Sequence, residues 1–341
     1  MTILQNKIDF AVVFSVNKAN PNGDPLNGNR PRQDFNGYGE VSDVAIKRKL
    51  RNRLQDEGEA ILIQSDERRK DEFRSIRDRV ASIPELEKIL KDAKGNVDLA
   101  EQIACDTWYD VRAFGQVFAF KGDKLSLGIR GPVSIHTATS VEPVDITSTQ
   151  ITKSVNSITN KKSPSQKTED TMGMKHRVDF GVYVFFGSIS PQLAERTGFT
   201  SKDAEKLKEA LRTLFVNDAS SARPDGSMEV NKVFWWEHNN KLGQYSSAKV
   251  HRSVKVEKIS NNTPPSIEHY NVYAESLEGL AWTWATPSVT TRLIFFRVLG
   301  AGFAMAIPYF LIGLRGPFRV RALVRVRCPR RGRPRRWRRP R

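Results

Sequence analysis

The chain has 341 residues and 38.6 kDa, and its 39 % hydrophobic content allows a sizeable core and excludes wholesale disorder. Two cysteines, Cys105 and Cys328, exclude a disulfide scaffold or a cysteine-rich zinc site; the opening MTILQNKIDF lacks the basic-then-apolar order of a signal peptide, which predicts a cytoplasmic protein. The formal charge of +17 suggests a nucleic-acid partner, yet residues 279–341 hold 15 Arg with no Lys or acid, so residues 1–278, with 40 basic and 38 acidic side chains, carry only +2.

Ile8 to Val16 is a near-continuous apolar run of strand length. A long Asn/Pro/Gly-rich loop, Asn17 to Glu40, follows, and loops of that length tend to carry function. A helix is predicted from Ser42 or Asp43, with Ile46, Leu50 and Leu54 as its buried stripe. Residues 65–105 are charged and helical in pattern, as in an inserted subdomain. Phe114–Phe120 and Leu125–Ile129 read as paired strands around the turn Lys121-Gly122-Asp123. Residues 137–171 are dominated by Ser, Thr, Asn and Lys, too polar to bury a core, and read as a mobile or partner-ordered projection. Val178–Ile189 returns to strand pattern. Thr200 and Asp203 form a capping-box start to a helix whose face is Ala204, Leu207, Leu211, Leu214 and Phe215. Val230–Trp236 and Val250–Val256 are further predicted strands. The order suggests an α+β chain, a ferredoxin-like sheet with helices on one face.

Composition breaks near Gly279. A largely apolar run, Leu293 to Leu314, is about long enough to span a bilayer, with one Arg and one Pro in 22 residues. The Arg-, Pro- and Gly-rich sequence around and after it has the character of a GC-rich stretch read out of frame. A frameshifted or fused tail is therefore favoured over a membrane anchor, and deletion of residues 279–341 is expected to leave the fold intact.

Three groups of residues carry candidate function. Asn20-Pro-Asn22-Gly-Asp24-Pro25 and Asn27-Gly-Asn-Arg30-Pro-Arg32-Gln-Asp34 describe a stiffened loop presenting two guanidiniums, each suited to grip a phosphate through parallel hydrogen bonds. Lys47, Arg48 and Arg51, on the helix entered from that loop, extend its positive surface. Asp110-Val-Arg112-Ala-Phe-Gly115, Ile129-Arg130-Gly-Pro132 and Thr171-Met-Gly-Met-Lys175-His176-Arg177 each set a basic residue beside glycine at a strand edge or turn. Enzyme signatures are weak. The five histidines show no metal-ligand spacing, and Walker A, GxSxG and HExxH sequences are absent. Asp24, Asp34 and Asp43 are the alternative, as ligands of a Mg²⁺ in an RNA nuclease.

Taken in order, NPNGDP, NRPRQD, VSDVAIKRKLRN, DVRAFG, RGPV and TMGMKHRVDFGVY resemble the Cas-seven backbone subunit of type I-C CRISPR surveillance complexes, over about residues 5–278. The resemblance implies an RRM-like palm with a helical fingers insertion and a long thumb loop. The palm would comprise residues 1–60, 111–136 and 172–278, the fingers 61–110, the thumb 137–171, and an atypical tail 279–341. It implies a non-enzymatic subunit, without cofactor or metal, that binds guide crRNA, pairs it with target DNA and lines up with copies of itself. A Cas-five-type subunit, a large subunit and a recruited helicase-nuclease would complete the system, with no membrane involved. The RNA contacts it implies are Arg30, Arg32, Lys47, Arg48, Arg51, Arg130, Lys175 and His176, with Asn20 and Asn22 shaping the first loop. Met174 departs from the pattern, standing where the family usually carries a basic residue.

Overall fold

The computed structural model describes residues 2–155 and 172–285. Strand β1 (Ile8–Ala19) leads to two short strands, β2 (Gly23–Asp24) and β3 (Arg30–Pro31), then β4 (Tyr38–Val41) and helix α1 (Asp43–Asp56). Helices α2 (Ile76–Ala81), α3 (Pro84–Lys91), α4 (Val97–Thr107) and α5 (Tyr109–Phe114) follow, then β5 (Gly115–Phe118) and β6 (Leu127–Arg130). Next come β7 (Val133–Ile135), β8 (Ala138–Pro143), β9 (Ile146–Thr152) and the 18-residue β10 (Met172–Ile189). The remaining elements are α6 (Pro191–Thr197), α7 (Ser201–Arg212), β11 (Met228–Glu237), α8 (Ser247–Arg252), β12 (Val254–Lys258), β13 (Tyr270–Ala274) and β14 (Trp282–Ala285).

The main sheet is antiparallel in the order β14-β11-β1-β10-β8-β4, with β7 and β9 also paired to β10. The continuous apolar sequence of β1 reflects its place between β10 and β11, where both of its faces are buried. Ile8, Phe10, Val12 and Phe14 pack on one side with Ile46, Leu50 and Leu54 of α1 and Leu207 and Leu211 of α7. Ala11 and Val13 point the other way, into a second cluster with Phe234, Trp236 and Val250. That second face is covered by α8 and the β12–β13 hairpin, whose Val254, Val256, Tyr270 and Val272 pack against it. Helices on one face alone are thus only part of the arrangement. Both predicted N-caps form: Ser42 accepts a hydrogen bond from Ala45 N, and Thr200 and Asp203 cap each other's backbone amides.

Several expectations are corrected. The Asn17–Glu40 loop is not irregular, because β2, β3 and β4 lie within it. The β5–β6 hairpin does not join the main sheet. Its Phe118, Leu127 and Ile129 pack with Leu86, Leu90, Ala100, Ala104 and Trp108 in a separate core formed with α3 and α4. Residues 138–152 form strands on β10, since ladder pairing satisfies the backbone without large apolar side chains; residues 156–171 of the same stretch lie outside the described residues. The strand expected over Val250–Val256 starts only at Val254. Ser246 caps a short helix before it, accepting from Lys249 N. Strand β13 pairs with β12, and the edge of the main sheet is β14.

Residues just beyond the composition break therefore belong to the fold: Leu280 is 3 % exposed and Trp282 pairs with Trp236. This overturns the expectation that residues from 279 onward are dispensable. The Leu293–Leu314 run and the Arg-rich sequence lie outside the described residues; among the described residues, no helix is long and apolar enough to cross a membrane.

Candidate nucleic-acid interface

The first loop is held at both ends by asparagines. Buried Asn20 donates from Nδ2 to Asn29 O at 2.7 Å, and Asn22 Oδ1 accepts from both Ser42 N and Ser42 Oγ at 2.9 Å. The same serine that caps α1 thus fixes the loop to the helix. The limbs approach so closely at Gly23 that a Cβ there would stand 2.0 Å from Asn29 Oδ1. Asn20 and Asn22 thus both bond within the loop and its junction with α1.

Within this frame Arg30, on β3, donates from Nη1 to Ser148 Oγ of β9 at 3.2 Å. Ser148 Oγ lies 2.8 Å from His176 Nδ1, and Ser148 and His176 are partners in the β9–β10 ladder. Ser148 Oγ thus bridges the guanidinium and the His176 ring, whose Nδ1 donates or accepts according to its tautomer. Two motifs about 140 residues apart, NRPRQD and TMGMKHR, are thereby joined through a serine that neither contains. Arg32 is oriented by Asp24, Nη2 to Oδ1 at 3.5 Å, with 40 % of its side chain exposed.

The other predicted residues are dispersed. Lys175, exposed on β10, is paired with Thr149 and, by strand alternation, projects to the face opposite His176. Arg130 is exposed on β6, opposite Gly115, away from the main sheet. Lys47 pairs with Asp43 at 3.1 Å along α1.

Arg48 and Arg51 are each bonded inward, although Arg48 also lines a cleft beside α1. Arg48 donates to Ile63 O at 2.7 Å, and burial, reinforced by the neighbouring Arg51 charge, lowers its pKa from the usual value. Arg51 Nε bonds the almost fully buried Asp110 at 2.8 Å, and its guanidinium lies over the Phe114 ring. Asp110 also accepts from Leu62 N and Ile63 N, so the pair fastens the start of the helical insertion to α1. Arg112, from the same DVRAFG motif, bonds both carboxylate oxygens of Asp203 at 3.2 and 3.0 Å. That motif is a structural joint.

Each carboxylate of the nuclease alternative has a local task. Asp24 accepts from Leu26 N, Asp34 from Asn36 N and Tyr38 N, and Asp43 pairs with Lys47. Among the described residues no group of three or more His, Cys, Asp or Glu is placed to hold a metal ion.

Sequence reasoning missed Ser148 and a cationic cleft beside α1 lined by Lys49, Arg68 and Arg223. Ser148 lies in the sequence ITSTQIT, where residues 147–150 are all polar, so no alternation marks which of them face Arg30. Arg48 and Asn22 on the lining of the cleft are flagged by the sequence, but Arg68 and Arg223 come from separate segments and carry no local signal.

Residues 6–275 match the profile of the family described as "CRISPR-associated protein Cas7". A curated Haloferax volcanii protein of that name is 28 % identical over 231 residues, covering 61 % of this chain and 63 % of that protein. The chain thus spans somewhat less than two thirds of that relative's length. Among solved structures, a chain of a "CRISPR RNA-guided surveillance complex, pre-nicking" aligns over 67 % of this chain and 78 % of its own, at 13 % identity and a TM-score of 0.42. A second, from a "CRISPR RNA-guided surveillance complex", aligns over 67 % and 68 % at 15 % identity and a TM-score of 0.35. The profile match extends from β1 through β13, and on that match the chain belongs to the Cas7 family of CRISPR-associated proteins.

Proposed function

We propose that this chain is the crRNA-binding backbone subunit of a type I-C surveillance complex, several copies of which line up along one guide RNA. The observation that carries the reading is the Arg30–Ser148–His176 chain, which gathers hydrogen-bond donors from two distant family-like motifs onto one surface. Donors of this kind suit phosphates and sugars, contacts that position a strand without reading its sequence. The guide bases then remain free to pair with target DNA.

In this reading the main sheet is an RRM-like palm, residues 61–110 are the fingers, and the segment 137–171 is the thumb. Arg30, Arg32, Lys47, Arg130, Lys175 and His176 contact RNA, with Asn20 and Asn22 holding the loop. Arg48 and Arg51 act from within, anchoring the fingers. The partners are copies of the same chain, a Cas-five-type subunit, a large subunit and a recruited helicase-nuclease. The protein has no chemistry of its own and works in the cytoplasm.

The test is purification of the full chain from cells that carry its CRISPR locus, followed by sequencing of the RNA that accompanies it. Short, uniform repeat-spacer RNAs are expected. Random RNA, or none, overturns the proposal, and chelator-sensitive RNA cleavage abolished by Asp34→Ala replaces it with the nuclease alternative.

A further inference from the structure

A cleft of about 730 Å³ opens between α1, the segment 65–68 and the segment 217–223. Its centre is an unequal ion group. Lys49, 5 % exposed, pairs with Asp218, and Arg223 Nε reaches the same carboxylate oxygen at 3.3 Å. Two cations therefore share one anion. Burial lowers the Lys49 pKa, Asp218 opposes that, and the Arg223 charge adds to it, as expected where positive charge is under-compensated. Arg48, which also donates to Ile63 O, and Arg68, held by both carboxylate oxygens of Asp56, stand on the wall beside Glu67, with Asn29 and Asn217 supplying neutral polar groups. Arg223 is the more exposed member of the central pair, at 28 % of its side chain, so it can turn toward an incoming anion while Lys49 keeps Asp218.

We propose that this cleft is a phosphate-binding station for single-stranded RNA, and that Asp218 is a built-in counter-ion that competes with the RNA phosphate for Arg223. The inference rests on the RNA-binding reading and extends it to Lys49, Asp218 and Arg223, in a cleft that the first loop borders. The carboxylate holds Arg223 through a single contact, from Nε, while the cleft is empty of RNA, and a phosphodiester oxygen can take that place and engage the rest of the guanidinium. Removal of the carboxylate strengthens the attraction for an external phosphate; removal of Arg223 weakens it. Opposite signs from two neighbours distinguish a competing counter-ion from a simple structural pair.

The experiment measures binding of a mixed-sequence single-stranded RNA to the full chain over a range of salt concentrations. Arg223→Gln is expected to flatten the salt dependence by about 0.7 log unit per log unit, which is roughly five-fold weaker binding near 0.1 M salt. Asp218→Asn is expected to bind more tightly with a steeper dependence. Should Asp218→Asn unfold because Lys49 loses its partner, inorganic phosphate is expected to raise its melting temperature more than that of the unaltered protein; failure of phosphate to do so overturns the proposal. Unchanged salt dependence in Arg223→Gln, or weaker binding by folded Asp218→Asn, overturns it too. Arg30→Gln is the control. If it flattens the salt dependence and Arg223→Gln does not, the cleft fails and the RNA reading stands; if neither does, the RNA reading fails with it. A nucleoside monophosphate that stabilises the protein without being displaced by the RNA assigns the cleft to a free nucleotide and overturns the RNA station.

Discussion

Arg51→Met separates a structural arginine from an RNA-binding one. The Arg51 side chain is 14 % exposed and that of Asp110 1 %, with a 2.8 Å contact between them, so the substitution leaves a carboxylate buried without its counter-charge. Breaking a buried pair from one side typically costs about 3–5 kcal/mol. Asp110 keeps its bonds to Leu62 N and Ile63 N, and Met retains part of the packing against Phe114, so the lower end applies. For a domain of this size about 3 kcal/mol corresponds to a melting-point drop of roughly 6–12 °C. The assay pairs thermal unfolding, followed by tryptophan fluorescence and circular dichroism, with RNA binding across salt concentrations below the transition. Lower stability with an unchanged salt slope is expected. A variant that melts like the parent but loses one phosphate's worth of slope would show that Arg51 points outward to RNA, and would refute the assignment of this pair to the fingers joint.

A chain ending at Gly279 loses Leu280 and β14, leaving the edge of β11 unpaired, whereas one ending at Ala285 keeps both. The shorter chain is expected to melt at a lower temperature than the longer; equal midpoints would remove β14 from the stable sheet. Gly187→Ala places a Cβ 2.2 Å from Phe10 Cζ and 2.6 Å from Ser134 O, and is expected to cost about 1–3 kcal/mol by urea titration. His251 is packed on Phe186, beside Asp9 and His136, and burial lowers its pKa below 6.5. The native state then binds fewer protons than the unfolded chain, so stability is expected to fall as pH drops through 6.5 toward the folded pKa, and His251→Gln should flatten urea midpoints measured across that window.

Much of the fold is legible in sequence where a local pattern coincides with a buried face. Ile46, Leu50 and Leu54 repeat every four residues and lie along one side of α1; Thr200 and Asp203, three positions apart, mark a helix start. The β12–β13 hairpin and β14 are different. Tyr270–Ala274 and Trp282–Ala285 are equally apolar and strand-like, and only long-range pairing decides which of them borders the main sheet. Val250, Val254 and Val256 read as one strand because the cap at Ser246 is a single residue against three β-branched ones. The site divides in the same way. Arg30 and His176 stand out by motif, but their meeting depends on the registration of β9 with β10. Arg51 resembles its neighbours in the basic run and differs from them only through Asp110, which lies 59 residues away. A charged cluster announces its cations and conceals their partners.

Strand β10 runs for 18 residues, about 60 Å when extended, from the middle of the main sheet into a ribbon whose outer residues are exposed. Because one continuous strand serves both regions, the ribbon inherits its orientation from the core through parity alone. Inserting two residues between His176 and Val178 would lengthen the ribbon while returning His176 to its original side. Inserting one would exchange the two faces, turning His176 away from Arg30 and bringing the side of Lys175 toward it. The ribbon can therefore change its reach in steps of two residues, and a step of one amounts to a different surface.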